Sequence, residues 1–359
     1  MDKKTYIFAA DVTRDIAIIG VVIIHTINAV YTRPDFFGGI TWWITTFLDS
    51  ASRISIPLFI MLSGYLLLKK DETMEQSLKR IASRIIVPFI FWVLFYFWYG
   101  GGLPSFNFIR VSILKNVFQS NVFHLYYLVI LMGLYVIAPL IRAYLRSVSF
   151  ASQEFLMKIF LVGGVLQVGL EFIFQTCAAE NFFTRWMPYT GFFIAGYVLG
   201  TKQHLLKTSK LFIWYAAAFT TTVGLNYLHY FLVKYKYNFL DAPGCLSYYS
   251  DHYLSINVVI MSLCAFIFLL HASYGFLQNN RIAAKIIASL ARTSFGIYLA
   301  HPFINRFLEM QFHLAVDISK LPIFIIITLK FFLVFVLSYF LTFFCLKIPI
   351  VQLVFGGKR

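Results

Sequence analysis

Charge is scarce in this chain. Of its 359 residues only 13% are Asp, Glu, Lys or Arg, against roughly 25% in an average soluble domain. So few charged side chains cannot cover the surface of a water-soluble fold of this length. The shortage excludes a soluble enzyme, a disordered protein and a nucleic-acid-binding domain. Cysteine is sparse as well: Cys177, Cys245, Cys264 and Cys345 stand far apart, with no CxxC pair and no His–Cys cluster. Neither a disulfide framework nor a metal site is expected. There is no P-loop, no GxSxG elbow, no HExxH and no dinucleotide fingerprint. No polar stretch is long enough for a second domain, so residues 1–359 read as a single transmembrane domain. The polar start, Met1 to Asp11, leads into an apolar run with no small-residue cleavage site, which fits a retained first span better than a cleaved signal.

Apolar residues are what the chain has in excess: 60% of the total, with 19% aromatic and a mean hydropathy of +0.77. A spanning helix needs about 20 largely apolar residues. Ten stretches qualify, at 13–32, 42–68, 86–103, 123–141, 155–176, 186–201, 210–232, 253–275, 292–313 and 321–346. Backbone polar groups in lipid must be satisfied internally, and these runs are too long for barrel strands. The expected fold is an all-α integral membrane bundle of about ten transmembrane helices. The chain carries 30 Lys and Arg against 15 Asp and Glu; with the N-terminus inside, twenty of those cations fall on cytoplasmic segments and seven on the opposite loops. That bias places both termini in the cytoplasm. One faint internal echo, Pro57 to Gly64-Tyr65 against Pro188 to Gly196-Tyr197, is explained by helix packing or by chance.

Ionisable residues inside a span are costly and mark function by default. The first span carries Asp11, Arg14, Asp15, His25 and Asn28. Arg14 and His25 are eleven residues apart, which at about 100° per residue is only ~20° from three full turns, so they share a face. His25 then lies ~16 Å along the axis from Arg14, near the middle of a ~30 Å hydrocarbon core. A His there, in line with a cation at the inner boundary, suits a general base supplied from the cytoplasm; helix anchoring and an interhelical hydrogen bond are the plainer alternative. In the second span Asp49 and Arg53 are spaced to pair within one helix. Ser50, Ser52 and Ser55 interleave with them, and Ser63-Gly64-Tyr65 follows. Such a helix half lines a wet cavity or forms an internally paired structural cluster. Arg80 and Arg84 are i,i+4 neighbours on a cytoplasmic amphipathic stretch, suited to a phosphorylated ligand or to lipid headgroups. His124 opens the fourth span in Phe123-His124-Leu125-Tyr126-Tyr127, where it would touch a substrate or join an interfacial aromatic belt. His301 in Tyr298-Leu299-Ala300-His301-Pro302 reads as a satisfied His in a bent helix, and Glu171 and Lys330 as lone span charges that could pair.

Two motifs carry a family resemblance. Asp11-Val12-Thr13-Arg14-Asp15-Ile16-Ala17, continuing through Val21-Val22 to His25, resembles the opening signature of the acyltransferase type 3 membrane family. Ser50-Ala51-Ser52-Arg53-Ile54-Ser55-Ile56-Pro57-Leu58-Phe59 through Ser63-Gly64-Tyr65 resembles its second helix, and is most similar to the enterobacterial common antigen O-acetyltransferase branch. The Arg-rich approach to Pro88, the His124 run and the Tyr298/His301-Pro302 pair fit in order, so the likeness covers essentially the whole chain. It implies a ten-helix enzyme of the bacterial inner membrane that moves an acyl group, usually acetyl from acetyl-coenzyme A, to a hydroxyl of a cell-envelope carbohydrate. It carries a catalytic role onto His25 and a catalytic or donor-binding role onto Arg14. The family shows two Arg three apart before the third helix, where this chain has Arg80 and Arg84 four apart. Asp49, Ser52, Arg53, Ser63, Tyr65 and His124 are the candidate substrate-binding set, with membrane lipid and a carbohydrate acceptor as partners and no nucleic acid. A transporter or flippase of a lipid-linked saccharide, or an O-acyltransferase using succinyl or another short acyl group, is the competing reading. The sequence fixes neither the sugar nor the oligomeric state.

Overall fold

The computed structural model describes residues 3–101, 123–174, 176, 181–201, 208–235, 246, 249–312, 314 and 322–357. Every element among them is helical. We number the main helices α1 (Lys3–Tyr31), α2 (Ile40–Ser52), α3 (Ser55–Leu67), α4 (Met74–Ile81), α5 (Val87–Gly101), α6 (Tyr126–Ser147), α7 (Phe150–Ile173), α8 (Thr190–Thr201), α9 (Thr208–Lys234), α10 (Ile256–His271), α11 (Arg281–Gln311) and α12 (Ile323–Cys345). Among the described residues eight segments are long and apolar enough to cross a membrane: Ile40–Leu67, Met74–Gly100, Tyr126–Ser147, Phe150–Ile173, Thr208–Lys234, Tyr249–His271, Arg281–Gln311 and Ile323–Cys345. They coincide with eight of the ten apolar stretches in the sequence, and the chain is a multi-pass membrane protein.

The other two stretches became α1 and α8. α1, 29 residues long, packs on α2, α3, α10, α11 and α12. Neighbours on so many sides are what a helix carrying Arg14, Asp15, His25 and Asn28 requires, because lipid would leave those groups unsatisfied. α8 has only 12 residues, ~18 Å at 1.5 Å per residue, too short to cross the core by itself. It is an interior helix pressed against α3. A Cβ on Gly64 would lie 1.8 Å from the Phe193 carbonyl oxygen, and a Cβ on Gly196 would lie 1.8 Å from the Met61 carbonyl oxygen. The two contacts are reciprocal, each glycine meeting the residue three before the other. The two backbones touch where side chains are missing. The echo between Pro57–Tyr65 and Pro188–Tyr197 is therefore a packing signal.

The second span is broken where the sequence suggested one helix. In a continuous helix the Pro57 ring would collide with the Arg53 carbonyl and supply it no N–H. The chain accordingly turns at Arg53–Ile54, and Pro57 falls in the first turn of α3, where a missing N–H costs nothing. Between α4 and α5 the residues Ala82–Ile86 form a π-helical turn. The expected Glu171–Lys330 pair is not formed. Glu171 accepts from Gln167 Nε2 at 3.0 Å on an exposed face, while buried Lys330 reaches across from α12 to Glu309 on α11. Glu309 sits near the end of a span with no apolar periodicity to flag it. Cys264 and Cys345 are free thiols; Cys177 and Cys245 lie outside the described residues, as do Arg110, Lys115, Lys202, Lys207, Lys236, Lys320, Lys358 and Arg359 from the loop-charge count.

Candidate active site

The site is organised along α1. At the Arg14 end a cavity of about 600 Å³ is lined by Arg14, Lys70, Arg80, Arg84 and Arg292, together with Ser63, Tyr127, Tyr135 and Tyr298 and the chain segment Gln352–Gly357. No carboxylate is among its described lining residues. Five cations around a pocket of this size are costly to hold together, and a multiply charged anion such as a chain of phosphates removes that cost. Arg14 also bonds Asp11 Oδ1 at 2.8 Å through one nitrogen, which holds its guanidinium at the cavity wall.

Arg80 and Arg84, i,i+4 neighbours on one face, both line this cavity, and the π-helical turn at Ala82–Ile86 lies across Arg84. Arg80 is held from behind by Glu72, while its Nη1 is buried without a hydrogen-bond partner. Glu72 belongs to a short loop fastened by α6: Arg142 donates to the carbonyls of Leu67 (3.0 Å) and Glu72 (2.9 Å), and Arg146 pairs with Asp71 at 2.8 Å.

Deeper along α1 three imidazoles meet. His25 from α1, His124 from the turn that opens α6 and His301 from α11 have ring centroids 4.9 Å (His25–His301), 5.4 Å (His124–His301) and 6.3 Å (His25–His124) apart. His124 and His301 are buried, whereas His25 keeps accessible surface. Tyr298 connects this cluster to the basic cavity. It lines the cavity, stacks edge-on against His124 at 5.3 Å, and donates its hydroxyl hydrogen to the His124 carbonyl. Tyr127, also on the cavity wall, meets Tyr298 at 5.3 Å. His25 therefore sits behind a two-tyrosine wall and does not itself line the cavity. Among the described residues no group of His, Cys, Asp and Glu is arranged to hold a metal.

On the Tyr31 side of His25 lies a buried charge cluster. Arg53 makes a two-pronged pair with Asp49, Nε and Nη2 each 2.8 Å from a carboxylate oxygen. Its Nη2 is 3.1 Å from Asp251 Oδ2, and Tyr31 donates to Asp251 at 2.8 Å. The Asp49–Arg53 pairing follows from the sequence spacing; Asp251 and Tyr31 are missed by it, because they come from distant segments and no local pattern marks them. Ser52 is buried against Gly20 of α1. Ser63 faces the basic cavity, at 3.4 Å from the Tyr135 hydroxyl. Tyr65 is placed away from both: its ring lies under the Lys69 ammonium at 3.9 Å and against Gly200. His124, taken from the sequence as an outer-side contact or part of an aromatic belt, is instead a member of the interior imidazole cluster. Arg292 and Tyr127 line the site without any mark in the sequence to single them out, and Tyr298, named there only in the pair with His301-Pro302, is also on the cavity wall.

The arrangement is that of a helical membrane bundle with a cation-lined cavity close to three buried or half-buried imidazoles. Residues 7–346 match the family described as "Acyltransferase domain". The chain belongs to that family, and the match supports membrane acyl transfer in general. Among curated proteins and among solved structures nothing matches it significantly.

Proposed function

We propose that the protein is an O-acetyltransferase of the bacterial inner membrane. In this reading it moves acetyl from acetyl-coenzyme A to a hydroxyl of a cell-envelope polysaccharide or lipid-linked saccharide, an activity close to that of the enterobacterial common antigen branch. The observation that carries it is the basic cavity at the Arg14 end, which stops at Tyr127 and Tyr298 directly beside the three imidazoles. Coenzyme A is a polyphosphorylated thiol. Its phosphates suit Arg14, Arg80, Arg84, Arg292 and Lys70, and its thioester arm extends toward His25. The acceptor reaches the same point from the opposite side, past Asp49, Arg53 and Asp251, whose carboxylates and guanidinium offer hydrogen bonds to sugar hydroxyls.

An alcohol is a weak nucleophile at neutral pH, so a base is needed. His25 takes the hydroxyl proton as the acceptor oxygen bonds to the thioester carbonyl carbon. The tetrahedral oxyanion collapses, the carbon–sulfur bond breaks, and the proton on His25 passes to the departing thiolate. The products are an O-acetyl ester and coenzyme A. Ser63, on the cavity wall, and Ser52 and Arg53 are the nearby candidates for oxyanion donors. Membranes given radiolabelled acetyl-coenzyme A should place label in a carbohydrate fraction. His25→Ala should abolish that labelling with membrane insertion intact; wild-type labelling by that variant refutes the mechanism.

A further inference from the structure

α11 contains a proline, Pro302, immediately after His301. A proline in a helix interior offers no N–H to the carbonyl four residues before it. Here that carbonyl belongs to Tyr298, and it is taken instead by His301, whose Nδ1 lies 2.9 Å from it and 3.1 Å from the Ile297 carbonyl. The opening extends one residue further. Phe303 N–H, which an unbroken helix would direct to the Leu299 carbonyl, donates to the Tyr96 hydroxyl at 3.2 Å, and that hydroxyl donates to Leu299 at 2.7 Å. The rung that Pro302 cannot supply is thus replaced by an imidazole, and a phenol hydroxyl braces the next one. A kink of this kind has a specific cause, and its freed carbonyls must be recaptured.

The recapture fixes the chemistry of His301. Carbonyl oxygens only accept, so Nδ1 must carry the hydrogen, and the neutral ring then presents a lone pair at Nε2. That Nε2 is buried and has no hydrogen-bond partner. Nδ1 is turned onto the backbone of its own helix, so Nε2 faces away from that helix, and the nearest ring on that scale is His25, centroid to centroid 4.9 Å. An unpartnered buried acceptor beside a candidate base is a group in want of a donor, and His25 has a second ring nitrogen to offer.

We infer that His301, locked as its Nδ1–H tautomer by the carbonyl that Pro302 leaves free, is the positioning residue for His25: its Nε2 accepts a hydrogen bond from one nitrogen of His25 and so aims the lone pair of the other at the acceptor hydroxyl. The inference rests on the acyl-transfer reading of His25. In that reading His25 gains a proton from the acceptor and returns it to the thiolate, while His301 keeps its own proton on Nδ1 throughout. The pair works as a base with a neutral orienting partner, in place of the carboxylate of a Ser-His-Asp triad.

The test is steady-state kinetics on purified full-length protein in lipid, with acetyl-coenzyme A as donor and the carbohydrate acceptor fraction as co-substrate. His301→Leu removes the acceptor at similar volume and should lower kcat on the order of 100-fold with KM for acetyl-coenzyme A unchanged. His301→Gln keeps an acceptor oxygen at that reach and should recover most of the loss. Pro302→Ala restores an N–H that competes for the Tyr298 carbonyl. It should lower kcat about tenfold while the protein melts at the same or a higher temperature, an outcome that a purely structural kink would not give. Wild-type kcat in His301→Leu, or His301→Leu outperforming His301→Gln, overturns the inference. Absence of transfer by the wild-type protein itself overturns the parent reading instead, so the two failures are distinguishable.

Discussion

Arg53 is the residue whose loss should cost this fold most. It is the cation between two carboxylates: Asp49, 1% exposed and held by two bonds of 2.8 Å, and Asp251, 14% exposed and held at 3.1 Å. Asp251 also accepts from Tyr31 at 2.8 Å, whereas Asp49 is held, among the described residues, by the Arg53 guanidinium alone. Replacing Arg53 by Gln therefore strands the Asp49 carboxylate more severely than that of Asp251. Removing one member of a buried ion pair costs roughly 3–5 kcal/mol, because the other is left charged and unpaired. Against a total stability of ~5–15 kcal/mol that is a large fraction. Asp49→Asn alone should cost less, about 1–2 kcal/mol, since Arg53 keeps Asp251 and an amide can still accept one bond. The double variant Arg53→Gln/Asp49→Asn removes the charge on both sides and should recover at least ~2 kcal/mol of the single-variant loss, the coupling energy of adjacent partners. The assay is a double-mutant cycle read by thermal unfolding and by denaturant titration in one detergent. An Arg53→Gln protein within ~0.5 kcal/mol of wild type, or an additive cycle, would show that the cluster is open to water and refute the burial argument.

Two further outcomes follow from particular contacts. Gly196→Ala and Gly64→Ala each place a methyl group 1.8 Å from a backbone carbonyl oxygen on the facing helix; the carbonyl cannot swing aside, so both variants should lose folded yield, while Gly163→Ala, whose Cβ meets nothing within 4 Å, should be neutral in the same expression and melting assay. Arg84→Ala removes one guanidinium from the basic cavity and should raise KM for acetyl-coenzyme A about tenfold with kcat little changed, as expected for a charge-assisted phosphate contact of ~1.5 kcal/mol; an unchanged KM would place the phosphates elsewhere.

Much of this was legible in the residues, and what was hidden has physical reasons. Apolar length alone locates the spans, since a membrane leaves the backbone few other options. The Arg14–His25 register comes from helix geometry, and the Asp49–Arg53 pair comes from i,i+4 spacing, because both are local. His124, Asp251, Tyr31 and Arg292 are set by tertiary contacts and carry no periodic signal. His301 reads from the sequence as a satisfied imidazole in a bent helix; in the structure Nδ1 is satisfied and Nε2 is not. α8 reads as a span because its composition is that of a membrane helix; only its pairing with α3 shows that it is an interior strut.

The interruptions in these helices are not scattered. Pro57 sits just after the turn at Arg53, whose guanidinium meets Asp49 and Asp251. The π-helical turn at Ala82–Ile86 carries Arg84 to the basic cavity. Pro302 opens α11 and hands a carbonyl to His301. In each case the backbone gives up a regular hydrogen bond beside a charged or titratable side chain that lines the path from the basic cavity to the carboxylate cluster. A straight α-helix aligns residues three and four apart but not adjacent ones, whose directions differ by about 100°. Local departures add directions that regular backbone lacks, and at Pro302 a regular backbone would be more stable. Straightening these helices, as Pro302→Ala begins to do, should therefore favour stability at the expense of turnover.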